Sequence, residues 1–390
     1  MIEPLAFFQQ QLEARKAAHL FRERTPLENT RGVRIRIDGK DFLSFCTNDY
    51  LGLASHPRVI KALQEGAERW GVGSGASALV SGYTSAHAEL EKAFANFLQR
   101  DRAVFFSNGF MANIGVINAL LQTKQAVLFQ DKMNHASLLD AGKLSPALVK
   151  RYSHLNMHHL ERQLQHYPAP LRIIATESIF SMTGDCAPLS HLVKLAKRHS
   201  ALLMVDDAHG IGYLGANGKG CTEVFELNQT DVPLLVCPLG KAFGCYGAIV
   251  AGPHALLEML VQYARSYIYT TALPPALAEA ALSSLQLVQA EPKRREYLQS
   301  VIHYFKREAK ARHLNILPSS SAIQPVFIGD EEKAVQIADR LFRDNILVKA
   351  LRYPTVPKQK AVIRITLSAQ HTDQDIERLV TLLESLHVTT

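Results

Sequence analysis

Long apolar runs are missing. Nowhere do the 390 residues approach the roughly 18 consecutive apolar positions that a membrane-spanning helix needs. Paired cysteines are missing too. Cys46, Cys186, Cys221, Cys237 and Cys245 form no CxxC and are odd in number, which points to reduced thiols in a cytoplasmic protein rather than a disulfide or zinc framework. There is no secretory signal, since MIEPLAFFQQQLEARK carries Glu3 and no small-residue cleavage site after an apolar core. Internal repeats and low-complexity tracts are absent. The net charge of +7, from 43 basic and 36 acidic residues, is spread along the chain. Its densest basic stretch, Lys293 to Arg312, reads as an amphipathic helix with Leu298, Val301, Tyr304 and Phe305 on one face, and no nucleic-acid motif accompanies it.

What is present is a rhythm of strands and helices. Residues 4–24 read as a helix ending before Pro26, and RGVRIRIDGKDFLSF reads as a hairpin turning at its DGK. HAELEKAFANFLQR places Leu90, Phe94, Phe97 and Leu98 on one helical face. Strands are predicted at 103–106, 126–130, 173–176, 202–205, 234–237 and 248–251. Helix-length spacers between most of them imply a mostly parallel central sheet with helices on both faces. The short link between the last two allows the final strand to run antiparallel. Beyond TTALPPAL, the alternating AVIRITLS and the capped HTDQDIERLVTLLESL indicate a smaller α+β C-terminal domain. The expected division is residues 1–47 (helix and hairpin), 48–285 (large α/β domain) and 286–390.

Ligands of open parallel sheets bind beyond the carboxyl ends of the strands, and three such ends carry chemistry. FFSNGFMAN runs from a strand into a helix start, which is either a phosphate cradle or a plain connection. ALLMVDDAHG ends a buried strand in Asp206, Asp207 and His209. Asp206 and His209 could ligate a metal, Asp206 could hold a proton on a heterocyclic nitrogen, or it could form a structural ion pair. In LLVCPLGKAFG, Lys241 fails the P-loop pattern, because Leu235 stands where glycine is needed and Ala242 where a hydroxyl is needed. A salt bridge or a desolvated nucleophilic amine remains. Together the three ends supply the handles of pyridoxal phosphate.

The ordered set FFSNGF, MNHASLLDA, TESIFSMTGD, VDDAHGIG and PLGKAFG resembles the α-oxoamine synthases, fold-type-I pyridoxal-phosphate enzymes that condense an amino acid with an acyl thioester. The likeness runs from NDYLGLASHP to IRITLSAQHT. It implies that Lys241 is the Schiff-base lysine, Asp206 the acid facing the pyridinium nitrogen, His135 the imidazole stacked on the ring and His209 the partner of the phenolic oxygen. Ser181, Gly109 and Phe110 would contact the cofactor. Thr270 would reach the phosphate in a neighbouring subunit, making the protein a homodimer. Arg364 would hold the substrate carboxylate, with Asn48, Arg22, Arg352 and Thr355 as further substrate contacts. GSGASALVSGYTSAHAELE is most similar to the members acting on L-alanine and a pimeloyl thioester carried by CoA or acyl carrier protein. Relatives using other amino acids, such as 5-aminolevulinate synthase or 2-amino-3-oxobutyrate CoA ligase, are the alternative. One position departs from the family: Pro238 stands where a threonine hydroxyl is usual.

Readings of a different class are a metal-dependent hydrolase built on Asp206, Asp207 and His209, and a non-catalytic pyridoxal-phosphate regulator, which would need an added DNA-binding segment. HLNMHHLERQLQH places His154 and His158 four apart, a possible helical metal pair, but with no acid or thiol beside them a solvated surface is the expectation.

Overall fold

The structure, a computed structural model, describes residues 4–18, 20–353 and 355–388. Glu3, and Pro354 within RYPTVP, lie outside the described residues. The first helix, Pro4–Ala17, ends seven residues before the predicted boundary and buries none of its side chains. Three short strands follow: β1 (Asn29–Arg31), β2 (Arg34–Ile37) and β3 (Lys40–Ser44), with β2 and β3 forming the expected antiparallel hairpin.

The central sheet holds β4 (Arg102–Phe106), β5 (Ala126–Asp131), β6 (Leu148–Tyr152), β7 (Leu171–Glu177), β8 (Leu202–Asp206), β9 (Leu234–Pro238) and β10 (Ala248–Gly252), in the spatial order β4-β10-β9-β8-β7-β5-β6. Five strands are parallel, while β10 runs antiparallel to both β9 and β4. The reversal follows from the loop of nine residues between β9 and β10, too short for a helical crossover. β6 was not anticipated. LVKRY has two charged residues in five, and as an edge strand it needs only one partner and little apolar character.

Both faces of the sheet are covered, so its strands are apolar nearly throughout. Val104, Phe106, Leu128, Ile173, Met204, Val236 and Val250 pack on one side, under helices Gly109–Leu120, Ala136–Leu144 and His254–Tyr263. Phe105, Phe129, Ile174, Leu203, Val205, Leu235 and Ile249 pack on the other, under Ser85–Leu98 and Pro275–Ala290. Leu90, Phe94, Phe97 and Leu98 are all buried, and Thr84 with His87 closes a reciprocal capping box at that helix start.

The C-terminal part contributes β11 (Ile323–Gly329), β12 (Ile346–Leu347), β13 (Lys349–Leu351) and β14 (Ala361–Thr366). β11-β14-β13 form an antiparallel sheet, whereas β12 pairs in parallel with β3 and so ties the N-terminal hairpin to this region. Helices Pro292–Ala311 and Asp373–Ser385 pack together beside it. The mouth between the central sheet and the β11-β14-β13 sheet, beyond the carboxyl ends of β8 and β9, is where the chemistry gathers.

Candidate active site

β8 and β9 are parallel neighbours, so Asp206 at the end of one and the loop carrying Lys241 at the end of the other must be close. The loop turns at once: the Gly244 N–H donates to the Lys241 carbonyl at 2.8 Å. Gly244 has φ +61°, and a β-carbon there would lie 2.1 Å from the Ala54 nitrogen, so the turn admits only glycine. This fixes Lys241 with its Nζ 2.9 Å from His209 Nε2, while His209 Nδ1 lies 2.6 Å from the Tyr50 hydroxyl. Burial, reinforced by the Lys241 and Arg364 charges, drives the His209 pKa well below its usual value, so the imidazole is neutral. With Tyr50 donating to Nδ1, Nε2–H points at the lysine; in the other tautomer the lysine donates to Nε2. Burial also pushes Lys241 down to about 8, against the pull of Asp206 and Glu177.

Asp206 is 5% exposed and accepts from Asn113 Nδ2 at 2.7 Å and from the Ala208 N–H at 3.0 Å. No cation lies within ion-pair distance of it among the described residues. A buried carboxylate supported only by neutral donors suits a protonated ring nitrogen. The same Asn113 amide reaches Ser137 Oγ at 2.9 Å, and Ser137 Oγ lies 2.8 Å from His135 Nδ1. His135 caps helix Ala136–Leu144; burial lowers its pKa, and its own N–H donates to Glu177 Oε1 at 2.6 Å. Burial, and then the Asp206 charge, raise Glu177 to about 8. Tyr50, Asn113 and Glu177 were not anticipated. Their partners lie 24 to 159 residues away in sequence, a relation that no local pattern encodes.

Arg364 projects from β14 into the same cleft. Its Nε donates to the Ser181 carbonyl at 2.8 Å, Nη1 to Thr366 Oγ1 at 2.7 Å and Nη2 to Asn48 Oδ1 at 3.3 Å. The cleft, open to solvent at its mouth, spans about 760 Å³ and is lined by Lys241, His135, His209, Ser181, Arg364 and Asn48, together with Cys46, Met182, Lys349 and Leu351. At its inner side Gly109 opens helix Gly109–Leu120, capped by Asn108, whose side chain accepts from the Met111 N–H at 2.9 Å. The Phe110 ring meets His135 edge-on at 6.4 Å. A β-carbon on Gly109 would lie 2.7 Å from Pro238 Cγ, so the helix start sits directly against the end of β9. A desolvated amine with no acid bonded to it among the described residues, a carboxylate without a cation and a helix N-terminus are thus the groups that pyridoxal phosphate requires.

Of the expected residues, Asp206, Gly109 and Phe110 stand behind the lining, Asp206 and Phe110 reaching it through His135, and four others are not brought to the cleft. Thr270 lines a separate one with Ser107, Tyr83, His87 and Glu91. Arg22 is exposed in the irregular stretch before β1. Arg352 and Thr355 follow β13, one residue and four residues beyond Leu351.

Two expectations are corrected. Asp207, part of the hydrolase alternative, turns away from Asp206: it accepts from Ser178 Oγ and, at 2.8 Å, from the Cys221 N–H. Among the described residues no three acids, histidines or thiols are grouped to hold a metal. His154 and His158 do not form a helical pair: His158 is exposed on helix Met157–His166, as expected, but His154 is not simply solvated. His154 precedes helix Met157–His166, and its nitrogens lie 2.9 Å from Asp131 and 2.8 Å from Asp185. These acids come from distant β5 and from the TESIFSMTGD loop, which is why the local sequence gave no sign of them. The five cysteines are free, and no helix among the described residues is long and apolar enough to cross a membrane.

Residues 40–383 match the family described as aminotransferase class I and II. The chain is similar to 8-amino-7-oxononanoate synthase of Pseudomonas syringae pv. syringae (strain B728a), with 50% identity covering 96% of this chain and 94% of the relative. It is also similar to the enzyme of that name from Saccharophagus degradans, with 48% identity covering 96% and 95%. Among solved structures, serine palmitoyltransferase of Sphingomonas wittichii superposes with a TM-score of 0.93 at 27% identity, covering 99% of this chain and 98% of that one. The 8-amino-7-oxononanoate synthase of Francisella tularensis superposes with a TM-score of 0.77 at 34% identity, covering 88% and 97%.

Proposed function

The chain belongs to the 8-amino-7-oxononanoate synthases of the class I and II aminotransferase family, and from that premise we infer that it condenses L-alanine with a pimeloyl thioester. The products are 8-amino-7-oxononanoate, carbon dioxide and free thiol, a step of biotin biosynthesis, and the cofactor is pyridoxal 5'-phosphate. The observation that carries the reading is the Lys241 amine, lowered to about 8 and 2.9 Å from a neutral imidazole, at the strand end beside Asp206.

Bound pyridoxal phosphate supplies an aldehyde to capture the amino group and a ring that draws electrons from Cα. Asp206 would hold the proton on the ring nitrogen. Asn113 fixes that carboxylate and, through Ser137, the His135 imidazole, which would cover the ring. Lys241, neutral in a large fraction of molecules near pH 8, takes the α-proton on Nζ, and His209 and Tyr50 orient the amine. Arg364, locked by the Ser181 carbonyl, Asn48 and Thr366, directs its remaining N–H groups to the α-carboxylate. Gly109 and Phe110 would hold the phosphate side, and Ser181 would contact the cofactor.

We extend the proposal to a cytoplasmic homodimer with active sites at the interface, and to the division at residues 47 and 285. In support, Leu5, Phe8 and Leu12 of the first helix, with Val72, Val80 and Tyr269, are exposed apolar side chains that a second copy would cover. Thr270 would reach a partner's phosphate, and Arg22, Arg352 and Thr355 would meet the acyl substrate.

The test is free-thiol release by purified holoenzyme, comparing L-alanine with glycine and serine against pimeloyl-CoA, pimeloyl acyl carrier protein, succinyl-CoA and palmitoyl-CoA. Alanine with a pimeloyl donor should exceed every other pair. If glycine with succinyl-CoA were faster, the substrate assignment would fail while the reaction class stood.

A further inference from the structure

The edge of the C-terminal sheet holds a charge arrangement that the mechanism above does not use. β13 pairs antiparallel with β14 so that Lys349 stands directly opposite Arg364. Residues directly opposite in such a pair share one face, with β-carbons about 4.5–5.5 Å apart, and like charges there repel. Both side chains line the cleft, and no Asp or Glu is among its lining residues. Arg364 spends its hydrogen bonds on neutral acceptors. Lys349 is exposed, and its side chain has neither a hydrogen bond nor an ion pair with any described residue. Two cations are thus set side by side at the mouth of a cleft with no anion of the protein's own to balance them.

We propose that Lys349 and Arg364 form a two-cation subsite for a substrate carboxylate, with Lys349 as its outer, specificity-determining member. Arg364 is the rigid inner member, fixed through three protein contacts. Lys349 is a flexible point charge that can close over the second oxygen of the same carboxylate. The proposal rests on the reaction inferred above, in which two carboxylates enter the cleft: that of the amino acid and the free distal end of the acyl chain. The cross-strand register favours the amino-acid carboxylate, because the group seated on Arg364 is the one Lys349 stands beside.

The experiment measures binding without turnover. Holoenzyme is titrated with L-alanine alone, followed by visible absorption, and with pimelate alone, followed by calorimetry, in the natural protein, Lys349→Met and Lys349→Arg. Lys349→Met should weaken one of the two ligands by about tenfold and Lys349→Arg should restore most of it; the ligand affected identifies the carboxylate. Because repulsion is relieved, the thermal midpoint of Lys349→Met without ligand should stay level or rise. If both dissociation constants stay within about twofold of the natural protein's, or if the unliganded variant melts lower, the subsite is overturned. A natural protein that binds both ligands yet releases no thiol from either pimeloyl-CoA or pimeloyl acyl carrier protein would sink the reaction and leave the subsite standing.

Discussion

At the scale of single residues, the site turns on how far burial moves a charge. Lys241 is held near 8 because desolvation outweighs two nearby carboxylates. Trapping of pyridoxal phosphate on the apoprotein by borohydride should therefore speed up as pH rises through about 8, where Nζ loses its proton. A rise only toward the ordinary lysine range, about 10.4, would show that the amine is not desolvated. Asp206→Asn keeps the shape and removes the charge that retains the ring proton, so kcat with alanine should fall by about a hundredfold or more while the fold is kept. Pro238 is informative in a different way. It packs on Gly109 and offers the cofactor neither hydroxyl nor N–H. Pro238→Thr should tighten cofactor binding by the equivalent of one charge-assisted hydrogen bond, about 1.5–3 kcal/mol, read as the concentration of pyridoxal phosphate that restores activity to apoprotein. Lys241, Asp206 and His209 were legible because each sits in a short motif at a strand end, and Arg364 because it interrupts the apolar alternation of β14. Asn113, Glu177 and Tyr50 were not, since their importance lies in partners brought from elsewhere in the chain.

Elements show the same split between local and distant causes. The buried strands and the antiparallel β10 could be read from apolar runs and loop length; the polar edge strand β6 could not, because an edge tolerates almost any sequence. The TESIFSMTGD loop between β7 and the next helix is another case. It bends back on itself through Phe180 N–H to the Asp185 carbonyl, and it is pinned by His154, whose ring also meets Phe180 edge-on at 4.5 Å. Burial works against a charged His154, yet the hydrogen bonds to Asp131 and Asp185 win and push it up to about 9. The folded-state value lies above the ordinary 6.5, so this clamp contributes its full stability below pH 6.5 and loses it as pH rises through about 9. In thermal scans across that window the natural protein should lose midpoint steadily. His154→Gln should start lower, by about 1.5–3 kcal/mol for a charged hydrogen bond, and vary less with pH. Equal pH dependence in both proteins would remove His154 from the account.

The whole molecule assembles a cleft whose walls are far apart in sequence: Asn48 meets Arg364 across 316 residues, and Arg364 meets Ser181 across 183. Composition and periodicity predict a sheet with helices on both faces, but they carry no information about which sheet edge faces which. Only the family resemblance brought those segments to one site. The same resemblance assigns Thr270 to a neighbouring subunit's site, and within one chain Thr270 lines a different cleft from Lys241. If two copies share their sites, defects at the two positions should complement. In a Lys241→Ala and Thr270→Val heterodimer, one site inherits both defects and the other inherits neither. Random reassociation of equal amounts of the two inactive or weakened variants should leave about a quarter of all sites intact, and activity should rise to about that fraction of the natural protein's. Activity no greater than the average of the separate variants, in a mixture shown by mass to contain heterodimers, would mean that each chain builds its site alone. In that case Thr270 would act, if at all, on its own subunit.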